Sequence, residues 1–292
     1  MNVSTENQLQ ILAGLTYSLL TFIGLSAYLT VLVAFAKNYA IFKEHSHYLI
    51  MCHLAVADIG FLLVNVLVMI PETFSGRPQY GRFEVFVGEG NGFFFYAVLF
   101  FTFLVALNRF TVFMSSKWNQ YLFYHSNTNV TVSCTWGLVV AHRIVYRILK
   151  CTTTFNYRRF HYSIYCESLS VLFTMFRYEQ FLCYCIFLMY LAVFVKIRIL
   201  PTRPKVSVSC KTESRKAKFR AEYKFLIEGC VIGVTSCAQS LAFWLIPQLF
   251  VESAVGPVLA SSIGILNCSV NPFVYFCFNA KIRRKVIELL RC

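Results

Sequence analysis

The stretch from Leu9 to Ala36, LQILAGLTYSLLTFIGLSAYLTVLVAFA, carries no charged residue. It is longer than the roughly 20 apolar residues that a helix needs to cross a lipid bilayer. The whole chain of 292 residues has the same character, with 58% hydrophobic, 17% aromatic and only 14% charged residues and a mean hydropathy of +0.60. A soluble protein cannot bury that much apolar surface. The sequence therefore predicts an integral membrane protein.

Seven apolar segments are long enough to cross the bilayer as helices, and they leave no room for a soluble domain. They run from 9 to 36, 48 to 70, 91 to 114, 130 to 149, 176 to 200, 225 to 251 and 253 to 278. The fourth is the most polar, because its outer half carries His142, Arg143 and Arg147. The predicted fold class is an all-α membrane protein, a seven-transmembrane helix bundle that forms a single domain over residues 1–292.

Basic residues fall mainly on one side of these spans. The largest groups of lysine and arginine lie between Lys196 and Lys224 and between Lys281 and Arg291. The positive-inside rule then places the amino terminus outside and the carboxyl terminus in the cytosol. The net charge of +14 belongs mostly to loops beside the membrane, which favours contact with membrane lipids and excludes nucleic acid as a partner.

Two of the twelve cysteines, Cys151 and Cys166, lie in one predicted extracellular loop. The oxidising exterior favours a disulfide between them, with two unpaired thiols as the alternative. No spacing of cysteine and histidine indicates a metal site, and no cofactor is predicted. Asn2 begins the sequon Asn2-Val3-Ser4 on the extracellular side and is a candidate for glycosylation.

Polar side chains fall inside the spans, where each costs free energy and faces the bundle interior. Asp58, the only aspartate of the chain, lies in the second span, with Asn65 seven residues later on the same helix face. The seventh span carries Asn267 and Asn271, and Asn271-Pro272 opens the motif NPFVY. Pro272 removes a backbone donor and weakens the helix. We predict a polar core between these two helices, with simple helix–helix adhesion as the alternative for Asn65 and Asn267.

The third span ends with VALNRFTVF, from Val105 to Phe113, which places Arg109 about one turn inside the cytosolic boundary. An arginine at this depth either has a function or extends its charged end toward the lipid headgroups.

These features together resemble a rhodopsin-type G protein-coupled receptor. The resemblance rests on LAVAD in the second span, LNRF closing the third, Trp136 in the fourth and NPFVY ending the seventh. The finer resemblance is to nematode serpentine chemoreceptors of class X, through LNRF, the loop KCTTTFNY…YC from Lys150 to Cys166 and AEYKFLIEGC from Ala221. It implies a receptor without enzymatic activity that binds an extracellular small-molecule ligand and activates a heterotrimeric G protein. It also implies the plasma membrane, and sensory cilia, as the location.

The resemblance also implies roles for single residues. Arg109 would turn to meet the G protein in the active state, and Tyr275 would swing inward to hold the cytosolic crevice open. Asp58, Asn267 and Asn271 would form a polar core, linked by water or sodium, that changes on activation.

The chain departs from the usual receptor pattern on the cytosolic side and in the core. Asn108 stands where an acidic neighbour of Arg109 is usual, so the resting-state partner of Arg109 is expected to be Glu228 or Glu222 at the foot of the sixth helix. Val98 stands where a sodium-binding serine is expected, which favours water over sodium.

A further departure concerns the extracellular side. No cysteine lies between Met69 and Arg109, so the usual bridge from the third helix to the second extracellular loop cannot form. The Cys151–Cys166 pair is expected to replace it.

Candidate walls for a ligand pocket lie in the outer half of the third span, with Phe94, Tyr96 and Phe101. Arg143 and Arg147, one turn apart, are candidates to hold a ligand carboxylate. The alternatives are ordinary aromatic packing and arginines that reach lipid headgroups.

The segment 279–292 has Ile282, Val286, Leu289 and Leu290 on one helical face, which predicts an amphipathic helix in the cytosolic membrane interface. Cys292 is a candidate for palmitoylation. The basic loop from Lys196 to Lys224 is expected to contact the G protein and anionic lipid.

Two other functions remain open at this stage. One is a small transporter or channel with Asp58 and Glu228 as an ion relay, although no paired repeats are visible. The other is a receptor-like chain that has lost coupling, as Asn108 and the charged fourth span suggest. No catalytic constellation is present, so we predict that the chain is not an enzyme.

Overall fold

The structure is a computed structural model that describes residues 3–42, 45–81, 83–199, 209–250 and 253–290. Seven long helices dominate it, and their bounds are α1 Val3–Lys37, α3 Ser46–Val64, α5 Phe83–Met114, α7 His125–Ile148, α8 Leu169–Ile199, α9 Ser209–Leu249 and α10 Val255–Phe278. The shorter elements are the helices α2 Tyr39–Phe42, α4 Ile70–Ser75, α6 Ser116–Phe123 and α11 Ala280–Leu290 and the strands β1 Cys151–Asn156 and β2 His161–Cys166.

Within the described residues, six helices are long and apolar enough to cross a membrane. They are Asn7–Lys37, Ser46–Ser75, Val85–Met114, Leu169–Ile197, Leu226–Ile246 and Val255–Phe278. The helix α7 is 24 residues long but more polar, and it packs against α3, α5 and α6 in the same bundle. Large apolar side chains remain exposed around the bundle, such as Leu12, Leu138 and Phe181, as expected for a surface that faces lipid.

The second membrane helix is interrupted where α3 gives way to α4. Residues Asn65–Met69 form a π-helical turn, and the N–H of Ile70 donates to the carbonyl of Asn65, five residues back. Pro71 lies at the start of α4 and has no N–H to donate, so a regular helical ladder cannot continue through it. The helix ends at Gly76, whose left-handed conformation (φ 62°) lets its N–H cap the carbonyl of Glu72.

The loop between α7 and α8 forms an antiparallel hairpin of β1 and β2. The register pairs Cys151 with Cys166 at the open end and Asn156 with His161 next to the turn. The Asn156 side chain accepts the N–H groups of Arg158 and Arg159 at 3.1 and 3.2 Å, which fixes the turn. A disulfide joins Cys151 and Cys166, whose Cα atoms are 4.1 Å apart. The predicted disulfide is confirmed, whereas the strands that it joins had not been predicted.

The hairpin lies across the outer end of the bundle. The hydroxyl of Tyr17 in α1 donates to the carbonyl of Phe160 at 2.7 Å. The strand β1 approaches α5 so closely that a Cβ on Gly88 would lie 2.3 Å from the carbonyl oxygen of Thr153. Only glycine fits at this crossing, so the hairpin and the third membrane helix form one packed unit.

The short amphipathic helix α11 follows α10 at the end of the bundle that is predicted to face the cytosol. Its residues Ile282 and Val286 are buried against the bundle. The Asn279 side chain caps the helix, since its Oδ1 accepts the N–H groups of Lys281 and Ile282 at 3.2 Å. The Tyr48 hydroxyl donates to the same oxygen at 3.2 Å, which ties α11 to the foot of α3. The predicted amphipathic helix is therefore present.

Candidate functional site

The single aspartate occupies the centre of a buried contact among three helices. Asp58 of α3 is fully buried, and its Oδ2 accepts the hydroxyl of Tyr28 in α1 at 2.5 Å. The same oxygen accepts the Nδ2 of Asn271 in α10 at 2.8 Å. The thiol of Cys268 in α10 also forms a hydrogen bond with this carboxylate. The structure therefore brings together Asp58 and Asn271 and adds Tyr28, which no sequence pattern singles out among the 17 tyrosines of the chain.

Asn267 and Asn65 contact other partners than Asp58. The Nδ2 of Asn267 donates to the Oε1 of Gln239 in α9 at 2.6 Å. The Oδ1 of Asn65 accepts the Nδ2 of Asn91 in α5 at 3.4 Å. The predicted residues Asp58, Asn65, Asn267 and Asn271 thus take part in three separate contacts at different depths, instead of one cluster around Asp58.

A cavity lies above these contacts, in the outer half of the bundle. Its free volume is about 50 Å³. Its polar wall includes Asn65, Asn91, Gln239 and Ser261, and its apolar wall includes Phe61, Met69, Phe95, Tyr162, Phe243, Ala260 and Ile265. This volume is smaller than that of most small-molecule sites, so the cavity fits only a slender ligand.

Only one of the five residues predicted for the pocket lines this cavity, namely Tyr96. Phe94 does not line the cavity. Its ring packs against Gly60 of α3, in the space that a larger side chain at position 60 would occupy. Phe101 is fully buried between two rings, in edge contact with Trp136 at 5.0 Å and stacked on His53 at 5.9 Å.

The two predicted arginines face a carboxylate of the chain itself. The guanidinium of Arg143 forms an ion pair with Glu89 of α5, and the Nε of Arg147 lies 3.7 Å from the same carboxylate. The other oxygen of Glu89 accepts the N–H of Thr153 in β1 at 3.1 Å. Glu89 therefore joins α5, α7 and the hairpin. The geometry accounts for these arginines without a ligand carboxylate or lipid headgroups.

A second carboxylate that was not predicted as a site residue lies beside the cavity. Glu179 of α8 is buried and accepts the hydroxyl of Tyr96. Its other oxygen accepts the Nε1 of Trp244 in α9 at 2.9 Å. A glutamate within an apolar span is a detectable signal in the sequence, because a charged group there costs free energy.

An open vestibule of about 980 Å³ lies outside the cavity, between β2 and the outer end of α9. Tyr162, Ile164 and Phe243 line both spaces, so the hairpin separates the cavity from the exterior. Burial, together with the neighbouring charge of Arg159, lowers the pKa of His161 in the vestibule to about 4. The imidazole is therefore neutral near pH 7.

At the cytosolic end, Arg109 lies among buried polar groups from four other helices. Arg109 is buried at the end of α5, and its charge acts on His47 in α3, Tyr190 in α8 and Glu228 in α9. The Oε2 of Glu228 lies 4.0 Å from the Nε2 of His47. Tyr275 of α10 is buried within electrostatic range of both Glu228 and Asp58. We call these five residues, His47, Arg109, Tyr190, Glu228 and Tyr275, the cytosolic cluster.

The structure thus places Glu228, one of the two predicted partners, in the same cluster as Arg109. The side chain of Glu222, and Asn2 and Cys292 altogether, lie outside what the structure describes. Asn108 is buried beside Arg109, and its carbonyl accepts the hydroxyl of Thr111 at 3.0 Å.

The arrangement of the helices matches a known membrane-protein fold. The structure is similar to the crystal structure of squid rhodopsin, with a TM-score of 0.79, 17% sequence identity and coverage of 98% of this chain and 86% of that chain. At this level of identity the likeness shows the fold alone, and the predicted seven-helix membrane bundle is confirmed. A search of the curated proteins finds no matching sequence.

The sequence supplies the family. Residues 19–279 match the family model of the serpentine type 7TM GPCR chemoreceptor Srx, and the chain belongs to that family. The predicted resemblance is therefore confirmed, and the chain is an integral membrane protein of a receptor family.

Proposed function

We propose that this chain is a chemoreceptor that binds an extracellular small molecule in the outer cavity and activates a heterotrimeric G protein on its cytosolic face. The observation that carries the proposal is a succession of buried polar contacts between the two ends. Gln239 lines the cavity and bonds to Asn267, and Asn271, one turn further along α10, bonds to Asp58. Tyr275, a further turn along, lies in the cytosolic cluster.

A receptor needs two arrangements of its helices that a ligand stabilises unequally. The helix α10 supplies a suitable element, because Pro272 follows Asn271 inside it and weakens its backbone ladder. In the cytosolic cluster, the hydroxyls of Tyr190 and Tyr275 and both carboxylate oxygens of Glu228 have no hydrogen-bond partner among the described residues. A rearrangement that gives these groups hydrogen-bond partners would lower their free energy. The cluster is therefore suited to switch between two arrangements.

The proposed orientation places the G protein beside the cytosolic cluster, α11 and the basic segment between Lys196 and Lys224. We also propose that the plasma membrane is the site of action, with its anionic inner leaflet attracting Lys281, Arg284 and Lys285 of α11. Residues 200–208 of the basic segment are outside the described part of the chain.

The test is nucleotide exchange on purified heterotrimeric G proteins, with the chain in lipid nanodiscs. We expect the wild-type chain to accelerate exchange and Arg109→Ala to lose at least about 90% of that acceleration, which corresponds to at least about 1.4 kcal/mol. Arg77→Ala is the matched control, because Arg77 is exposed in the extracellular loop after α4 and is remote from the cytosolic cluster. Uptake of a labelled solute into proteoliposomes serves as the parallel measurement.

Equal acceleration by the wild type and Arg109→Ala would remove the central residue of the proposal. Absence of exchange with every G protein class, at normal surface expression, would favour the chain that has lost coupling. Solute uptake that depends on Asp58 and Glu228 would favour the transporter.

A further inference from the structure

We propose that the cavity takes an uncharged ligand with a slender apolar body and a hydrogen-bond-accepting oxygen, held between the carboxamides of Asn65 and Gln239. The inference rests on the proposed function and names the chemical class of its ligand. Two observations support it. Polar groups at the cavity wall lack hydrogen-bond partners, and the charged groups near the cavity already have theirs.

Two carboxamides at the cavity wall each use only one of their two polar atoms. Asn65 is fully buried, its Oδ1 accepts from Asn91, and its Nδ2 has no partner among the described residues. Gln239 accepts from Asn267 through Oε1, and no protein atom of the described chain pairs with its Nε2. A buried donor without a partner costs about 1–3 kcal/mol. A ligand oxygen that accepts from the Nδ2 of Asn65 removes that cost.

The absence of charge at the cavity wall does not depend on how the two amides are turned, whereas the ligand acceptor follows from the donors that they present in the structure. Rotating a carboxamide by 180° exchanges its oxygen and nitrogen. Because the partners on Asn91 and Asn267 are carboxamides as well, the rotated pairs bond equally well and each cavity amide still presents one free polar atom. A neutral carbonyl, hydroxyl or amide group of the ligand can form a hydrogen bond with that atom.

Among the described residues, no charged side chain lines the cavity, so nothing in its wall balances the charge of an ionic ligand. Glu179, which reaches the cavity through Tyr96, already accepts from Tyr96 and Trp244. Arg143 packs on Gly92 at the back of the cavity wall and is paired with Glu89. Its Nη1 has no hydrogen-bond partner in the described chain, but the carboxylate beside it balances its charge. An ammonium or carboxylate entering here would lose its hydration without gaining a free counter-charge.

The remaining wall sets the shape of the ligand. Phe61, Phe95, Phe243 and Ile265 supply an apolar surface, and the free space for atom-sized groups is narrow. A single alkyl chain or a flat ring fits this space better than a bulky or highly hydroxylated molecule. Gln239 would contact the ligand and Asn267 together, so the residue that binds the ligand is also the first member of the polar path to Asp58.

The test uses probes that differ in charge and hydrogen bonding but hardly in size. Hexanamide, hexanoate, hexylammonium and 1-heptene are titrated separately against the purified full chain in nanodiscs at pH 7.4, with saturation-transfer NMR as the readout. We expect saturable binding of hexanamide, and binding of the two ions weaker by at least about 100-fold, since desolvating an unpaired charge costs several kcal/mol. 1-Heptene, which lacks the acceptor, should bind about three- to tenfold more weakly than hexanamide.

Variants of the cavity wall then test whether hexanamide binds in this cavity. Asn65→Leu and Gln239→Leu should each weaken hexanamide binding about three- to tenfold, while 1-heptene binding is unchanged or stronger. Gln120→Leu is the matched control, because Gln120 is exposed in α6 on the cytosolic side. Gly264→Ala provides a variant that removes no polar group: its added methyl would lie 3.2 Å from the Nε2 of Gln239 and should also weaken hexanamide binding.

Hexanoate or hexylammonium binding more tightly than hexanamide would overturn the inference. Hexanamide binding that ignores all three cavity variants, or no saturable binding of hexanamide, would overturn it as well. None of these results touches the exchange assay on Arg109, so a wrong ligand class and a wrong function are told apart.

Discussion

At the scale of single residues, the sole aspartate shows how a costly group is retained in a membrane helix. Asp58 has two donors on the same oxygen, Tyr28 and Asn271, from the helices on either side. Each of these donors would itself be buried without a partner if Asp58 were apolar, since Tyr28 and Asn271 are fully buried. The three side chains therefore depend on one another, and a change in any one alters the contact between α3 and α10.

Replacement of Asp58 by asparagine separates the charge from the hydrogen bonds. The amide oxygen of Asp58→Asn still accepts from Tyr28 and Asn271, so we expect surface expression within about twofold of wild type. G protein activation should fall at least about tenfold, because the site loses its negative charge and its ability to exchange a proton. Surface immunostaining and nucleotide exchange measure the two effects.

Asp58→Leu is the companion variant. It leaves two buried donors without a partner, at about 1–3 kcal/mol each, and should lower surface expression as well as activation. If Asp58→Asn reduced expression and activation equally, the aspartate would be an adhesive contact between helices and not part of a switch.

At the scale of elements, the hairpin and the third membrane helix are joined in an unusual way for this fold. The bridge from the third helix to the loop is impossible without a cysteine, and the disulfide closes the hairpin upon itself. The attachment to α5 falls instead to the close approach at Gly88 and to Glu89, which bonds to Arg143 and to the N–H of Thr153. An electrostatic contact replaces a covalent one.

Glu89→Gln tests this attachment. Arg143 and Glu89 are largely buried, and loss of one partner of such a pair leaves an uncompensated charge, so we expect a loss of about 3 kcal/mol in the free energy of unfolding. Glu167→Gln is the matched control, because its ion pair with Lys150 is exposed and should contribute less than about 1 kcal/mol. Thermal unfolding of the purified variants measures both. Equal effects of the two substitutions would show that Glu89 does not hold the hairpin.

The helices were predictable from sequence because their length and apolar character are set locally by the bilayer. The hairpin was not, because CTTTFN and HYSIYC are short and their pairing depends on the disulfide and on packing across α5. The π-helical turn at Asn65 was also missed. It depends on how the outer half of the second helix fits its neighbours, which no spacing in the sequence reveals.

The candidate site was predictable only in part, for a geometric reason. Seven residues place Asn65 on the same face as Asp58 but about 10 Å further along the helix, where Asn91 is its neighbour. Four residues place Asn267 about 6 Å above Asn271, at the level of Gln239. The spacing identified the correct face of each helix but not the depth in the membrane at which each asparagine meets its partner. The partners Tyr28, His47 and Gln239 come from other helices, so helix packing decides them.

At the scale of the whole molecule, the polar groups fall into an outer and an inner set. The outer set, Glu89, Arg143 and Glu179, fastens α5, α7, α8, α9 and the hairpin around the cavity. The inner set begins at Gln239 and runs through Asn267, Asn271 and Asp58 to the cytosolic cluster. The polar residues of α7 belong to the outer set. Arg143 pairs with Glu89, and the ring of His142 lies 3.8 Å from that of Tyr96. A polar fourth helix is therefore compatible with a working receptor.

We propose that engagement of a G protein shifts the cytosolic ends of the helices through Arg109. Pairs of spin labels at Trp118 in α6 and Tyr223 in α9, both exposed, report this movement. The labels are carried by unnatural amino acids, because the chain has its own free cysteines. The labelled chain must first support nucleotide exchange.

Pulsed electron resonance then gives the label-to-label distance with and without a nucleotide-free G protein heterotrimer. We predict that the heterotrimer adds a second, longer distance in the wild type, and that Arg109→Ala keeps the single resting distance. If the wild type gave the same distance distribution with and without G protein, the proposed movement would not occur. If Arg109→Ala showed the same change as the wild type, the movement would not depend on Arg109.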